Sequence, residues 1–198
     1  MKTLQLFLAT MLFQFLLSNN LNAQCDGNPK HIQWLHKMLR IEFPKTTPSK
    51  ISFTTKPTSI YEAPFAFIAF VSFVKAGNEP YFYLWTSKDH FKESTDFKKG
   101  DKIVFHLSNG NKIESECLDD YPGIKGQTIS FYKLQLKDLE DLSSTSLDSI
   151  NIQSHLRLTE KSDPSKIEDK PIVMRKFSKK NVDLMKEWAA CLRSRFAQ

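Results

Sequence analysis

The stretch Asp101-Lys-Ile-Val-Phe-His-Leu-Ser-Asn-Gly-Asn-Lys-Ile-Glu-Ser-Glu-Cys117 reads as two short strands around a tight turn, and its register decides what sheet the chain can build. A two-residue Asn109-Gly110 loop would set Phe105 opposite Glu114 and put lysine and glutamate beside Ile103, Phe105 and Leu107. A three-residue Ser108-Asn109-Gly110 loop, with Gly110 left-handed, sets Phe105 opposite Ile113, Ile103 opposite Ser115 and Lys102 opposite Glu116. One residue of slip turns every side chain to the other face, so the apolar pattern selects the three-residue loop with a bulge. Cys117 then points toward the core.

Outward from this hairpin the period stays at two. Ile51–Lys56 reads as a strand. Phe65-Ala-Phe-Ile-Ala-Phe-Val-Ser-Phe-Val74 is apolar on both faces, the pattern of a central strand covered on both sides, and a short loop over Ala76–Pro80 returns into Tyr81-Phe-Tyr-Leu-Trp85. Thr128–Leu136 predicts a strand that runs into a short helical turn, with Leu136, Leu139 and Leu142 recurring on one side. In Leu147–Leu158 the residues Ile150, Ile152, Leu156 and Leu158 alternate with Asn151, Gln153, His155 and Arg157, which predicts a strand with one wet face. Glu160–Pro171 is polar, holds two prolines and reads as a surface loop.

A helix flanks this region at each end. Asn28 suits the cap and Pro29 the first helical position, Pro44 stops the helix, and Ile32, Leu35, Leu39 and Phe43 share a face widened by Trp34, Met38 and Ile41. At the other end Ser178 suits the cap, Phe177 and Val182 form a hydrophobic staple, and Leu184, Met185, Trp188, Cys191 and Leu192 make a core-facing stripe. These elements predict an α+β fold over residues 24–198. A single domain would pack a mostly antiparallel sheet of about six or seven strands with an N-terminal and a C-terminal helix.

The 198 residues carry 28 Lys+Arg against 22 Asp+Glu, with 40% hydrophobic and 25% charged residues, which excludes collagen-like, low-complexity and disordered chains. Met1-Lys2-Thr3 is a positive start, Leu4–Ser18 an apolar run and Asn19–Ala23 a polar stretch ending in a small residue. That layout predicts a secretory signal peptide over 1–23, cleaved after Ala23. The run of about 15 residues is short of the ~20 that span a bilayer. Gln24 ahead of Cys25 argues against a lipoprotein. Past Ala23 no segment is apolar for long enough to cross a membrane. The absence of any Asn-x-Ser/Thr sequon favours a bacterial source, so the expected location is periplasmic or extracellular. Such a compartment permits one disulfide among Cys25, Cys117 and Cys191, with the pairing left open.

Motifs for catalysis are missing. The five histidines at 31, 36, 90, 106 and 155 are scattered, and His106 and His155 fall on the polar faces of their strands. No His-Glu-x-x-His occurs, and Asp119-Asp120 lacks the rest of a calcium loop, so no metal is expected. No Gly-x-Ser-x-Gly occurs, and the six glycines are too dispersed for a phosphate loop or dinucleotide fingerprint, so no cofactor is expected.

Two features remain. Tyr81, Tyr83 and Trp85 share one face of a strand, where a sugar or peptide would stack if that face were exposed. Aromatic strands against a terminal helix would instead suit an apolar ligand or a packed core. The second feature is charge: residues 171–198 hold seven Lys/Arg and two acids, whereas 24–170 hold 20 of each sign. Arg175, Lys176, Lys179 and Lys180 sit at the N-terminal end of the last helix, where the dipole opposes cations by some ~0.3–1 kcal/mol each. The expected function is therefore a non-catalytic exported protein that binds an anionic ligand or partner: an envelope component, an acidic polysaccharide or a protein. Nucleic acid is not expected. The alternative is a carrier of a lipid or other apolar small molecule, and the third option a hydrolase with dispersed carboxylates.

Overall fold

A computed structural model describes residues 27–42, 50–61, 67–88, 93–123, 127–158, 167–169, 172–175 and 179–197. The expected signal peptide 1–23, Cys25, Lys176, Phe177 and Ser178 lie outside them. In chain order the elements are α1 (Pro29–Glu42), β1 (Ile51–Thr54), β2 (Thr58–Tyr61), β3 (Phe67–Ala76), β4 (Glu79–Lys88), β5 (Glu93–Asp96), β6 (Lys102–Leu107) and β7 (Lys112–Glu116). There follow β8 (Gln127–Lys133), α2 (Leu136–Ser144), β9 (Leu147–Ile152), β10 (His155–Leu158), β11 (Ile167–Asp169), β12 (Ile172–Arg175) and α3 (Lys179–Ser194). The fold is α+β with antiparallel pairing throughout, as the patterning predicts.

The β6–β7 hairpin takes the three-residue register, with Phe105 opposite Ile113, Ile103 opposite Ser115 and Lys102 opposite Glu116. Gly110 has φ of 84°, which a residue with a Cβ adopts only with strain. Cys117 is buried, as this register requires. The β3–β4 hairpin turns on Gly77 and Asn78 and runs the full ten residues of each strand, Phe67 opposite Lys88 and Ala76 opposite Glu79.

Among the described residues the strands are shorter and more numerous than six or seven, because long strands are interrupted. Both β1 and β2 pair with β3, separated by Thr55-Lys56-Pro57. Pro57 has no N–H for a ladder, and Thr55 bridges the gap: its N–H donates to Phe73 O and its Oγ1 accepts from Phe73 N, both at 2.9 Å. Similarly, Leu147–Leu158 breaks at Gln153-Ser154 into β9 and β10. β9 continues the sheet β12-β9-β6-β7, whereas β10 lies between β11 and β5. Residues 167–169, within the stretch expected to be a surface loop, form β11 because β10 needs an antiparallel partner for its backbone, and Glu168 supplies it opposite Leu156.

The sheet β1-β3-β4-β8, with β2 also on β3, meets the β7 sheet at a corner where Cys117 bridges to Tyr132 and Leu118 N donates to Phe131 O at 3.0 Å. Inside this corner Phe82 meets Phe105 edge-on, with ring centroids 5.0 Å apart, and Phe73 at 5.7 Å. Helices α2 and α3 pack on each other. They bury Leu139 and Leu142 of α2, and Met185, Trp188, Ala189, Cys191 and Leu192 of α3.

Side chains alternate along β3, so Phe70, Ser72 and Val74 line one face of its sheet and Val71, Phe73 and Lys75 the other. α3 is held on the second face: Lys75 Nζ donates to Arg195 O at 2.6 Å and lies over the Phe196 ring. α1 takes the first face. Its start is tied to β1 by Asn28 N donating to Thr54 O at 3.1 Å, where a Cβ on Gly27 would come within 2.9 Å of the Phe53 ring. Asn28 also caps the helix as expected, its Oδ1 accepting from His31 N at 3.1 Å.

Candidate functional site

Tyr83 and Trp85 stand two residues apart on β4, on the face covered by α1, and register places Ser72 and Phe70 of β3 beside them and Phe131 and Ile129 of β8 on the other side. From α1, the third and sixth helical residues, His31 and Trp34, come down onto this face, and Leu35 beside Trp34 is fully buried. Trp34 lies 5.6 Å from Trp85, tilted by 60°, and His31 meets Tyr83 edge-on at 5.8 Å. Two nearly parallel stacks complete the layer: His31 on Trp34 at 5.3 Å and Phe70 on Trp85 at 4.6 Å. Each such pair adds roughly 0.5–1.5 kcal/mol beyond the area it buries.

The polar atoms of this aromatic layer are less well served. His31 Nε2, the Tyr83 hydroxyl and Trp85 Nε1 are all buried, and none has a hydrogen-bond partner among the described residues. Leaving a buried donor or acceptor unmatched costs about 1–3 kcal/mol each. Burial pushes the His31 imidazole down to about 4, so it is neutral at pH 7, and it pushes the Tyr83 phenol far above its usual range. The layer therefore offers a donor from Trp85, a hydroxyl that both donates and accepts, and one imidazole nitrogen, between flat apolar walls and, among its described residues, without charge.

The expected site residues are placed as follows. Tyr81 and Tyr83 are buried and Trp85 half-buried, so the three do not form an exposed stacking platform; α1 covers Tyr83 and Trp85. Tyr81 lies at the rim, where its hydroxyl donates to Glu79 Oε2 at 2.6 Å and Glu79 also pairs with Lys133. It is the N-terminal helix, not the C-terminal one, that faces Tyr83 and Trp85. Lys179 and Lys180 are exposed in the first turn of α3, which holds no acidic residue. The backbone of Arg175 ends β12, and Lys176 is outside the described residues. Lys179 and Lys180 open α3, which is held on the face of the sheet opposite the one that α1 and the aromatic layer occupy.

Of the cysteines, Cys191 is disulfide-bonded and Cys117 is a free thiol, so the two pairings that use Cys117 are excluded; Cys25 is outside the described residues. Burial pushes the Cys117 thiol up to about 12, its Sγ donates to Asp119 O at 3.3 Å, and it is no nucleophile at neutral pH.

His155, expected on a wet face, is buried. Its Nε2 lies 3.1 Å from both carboxylate oxygens of Asp101, itself buried and accepting from Lys98 N at 2.7 Å. The alternation that put His155 in solvent ends at the Gln153-Ser154 break, beyond which β10 belongs to another sheet. His106 is half-buried, with Nε2 3.0 Å from Asn151 Nδ2. No group of three or more His, Cys, Asp or Glu able to hold a metal occurs among the described residues. His31 and Trp34 were missed as site residues: the helical stripe identified Trp34 as apolar surface, and a lone histidine on such a helix carries no signal of what it faces.

Comparison of the chain with protein-family models and with characterised proteins finds no match in either.

Proposed function

We propose that this is an exported, non-catalytic binding protein that holds a small, largely apolar molecule between α1 and the β3-β4-β8 sheet. The observation that carries this reading is the set of three buried polar atoms, on His31, Tyr83 and Trp85, that have no hydrogen-bond partner among the described residues and lie within one aromatic layer. Such groups are nearly always paired, and a bound molecule would pair them. Export is supported by the signal-like pattern of residues 1–23 and by the disulfide at Cys191, which an oxidising compartment sustains. The test is a native mass spectrum of the protein recovered from exporting cells beside its denatured mass, together with titration by the uncharged dye Nile red. Extra mass lost on denaturation, or saturable dye binding, is expected. A bare native mass with no dye binding would overturn the proposal.

A second reading concerns Lys179 and Lys180, which are exposed at the start of α3 with no acid in that turn to offset them. An anionic surface or acidic partner would be drawn there. Charge reversal at Lys176, Lys179 and Lys180 should abolish retention on an anionic matrix, and unchanged retention would sink this second reading.

A further inference from the structure

We infer that the molecule held under α1 is an uncharged flat-ring compound carrying a hydrogen-bond acceptor, such as an aryl ketone or ester. This assignment rests on the binding function proposed above and specifies its ligand class. The walls set the shape: Trp34, Phe70 and Trp85 are arranged as stacked or tilted rings, and flat faces pack best against another ring. The polar atoms set the functional group. Trp85 Nε1 only donates, so at least one ligand atom must accept. The Tyr83 hydroxyl can also donate to an acceptor. With three such atoms among its described residues, the layer would leave most hydroxyls of a sugar unpaired.

Charge is excluded by what surrounds the layer. Among the described residues of the layer His31 is the one basic group, and it is held neutral by its burial. Glu79 of β4 is already paired with Lys133. A carboxylate or ammonium placed among these rings would meet no counter-ion among the described residues of the layer, a cost that few small ligands overcome. Because Tyr83 is fully buried, entry needs α1 to shift outward from the sheet, and that shift moves Trp34 relative to Trp85.

The test uses three probes of similar size on the full mature chain: acetophenone, ethylbenzene and benzoate, with binding read by tryptophan emission and calorimetry. Acetophenone should bind about tenfold tighter than ethylbenzene, since a missing acceptor leaves the buried donors unmatched, and benzoate should bind at least tenfold more weakly than acetophenone. Tyr83→Phe should reduce the advantage of acetophenone over ethylbenzene, read as the ratio of the two affinities in the same variant. Equal binding of acetophenone and ethylbenzene, or tightest binding of benzoate, overturns the ligand class and leaves the binding function standing. Nile red binding without any of the three probes does the same. Failure of the dye and all three probes overturns the binding function itself.

Discussion

The imidazole of His31 stands edge-on to the phenol ring of Tyr83, with 5.8 Å between centroids and 66° between planes, and neither Nε2 nor the hydroxyl has a hydrogen-bond partner among the described residues. One residue comes from α1 and the other from the centre of the β1-β3-β4-β8 sheet, so this pair reports directly on how the helix is seated. Its energetics can be probed without knowing any ligand.

The first expectation concerns pH. In the unfolded chain the His31 imidazole takes up a proton below about 6.5, but in the folded chain only below about 4, because the charged form is poorly solvated under α1. Between those values the unfolded state binds more protons. The stability that neutral His31 allows is fully present above 6.5 and is lost as pH falls toward 4. Melting temperature should therefore drop over that window, and His31→Phe should flatten the drop. An equally steep fall in the variant would assign the effect to other groups.

Tyr83 supplies the second. Because its hydroxyl is buried and unmatched, removing it in Tyr83→Phe should leave the ligand-free protein as stable as before or more stable, by up to about 1 kcal/mol. Urea unfolding measures this. A loss above about 1 kcal/mol would mean that the hydroxyl makes a hydrogen bond in solution.

Thiol chemistry gives the third. Cys117 is buried, and its thiol is pushed up to about 12, so an aromatic disulfide reagent at pH 8 should find almost no reactive thiol in the native protein. Denaturation without reductant should expose the Cys117 thiol, and reduction that of Cys191 as well. Rapid labelling of the native protein would contradict the burial of Cys117.

The fourth is the buried Asp101–His155 pair, which ties the chain between β5 and β6 to β10. Removing one partner takes from the other, which stays buried, its contact across this pair. Asp101→Ala and His155→Ala should each cost on the order of 3 kcal/mol in urea unfolding, and the double variant should cost clearly less than their sum. Additive single effects below about 1 kcal/mol would show that the pair is solvated.

Much of the fold was legible because it rests on short-range rules. The β6–β7 register follows from the pleat and one left-handed glycine, and the α1 cap from a single Asn28 side chain. The stripe Met185, Trp188, Cys191, Leu192 follows from helical spacing. The misplacement of His155 shows where such rules stop. Alternation assigns a residue to a face only while its strand stays in one sheet, and β9 gives way to β10 two residues before it.

The candidate site was half legible. Tyr83 and Trp85 were visible as one face of an aromatic strand, but which helix would cover that face was not. An apolar stripe states that a helix packs, not on what, and α1 and α3 both carry one. What the sequence by itself determined are the local elements, their apolar faces and the placement of charge at the start of α3, since each depends on residues a few positions apart. Only the tertiary structure decided that α1 lies over Tyr83 and Trp85, that His155 is buried on Asp101, and that Cys117 stays free while Cys191 is bonded. Those outcomes depend on which surfaces of distant segments fit together, and that fit is settled by packing across the whole core.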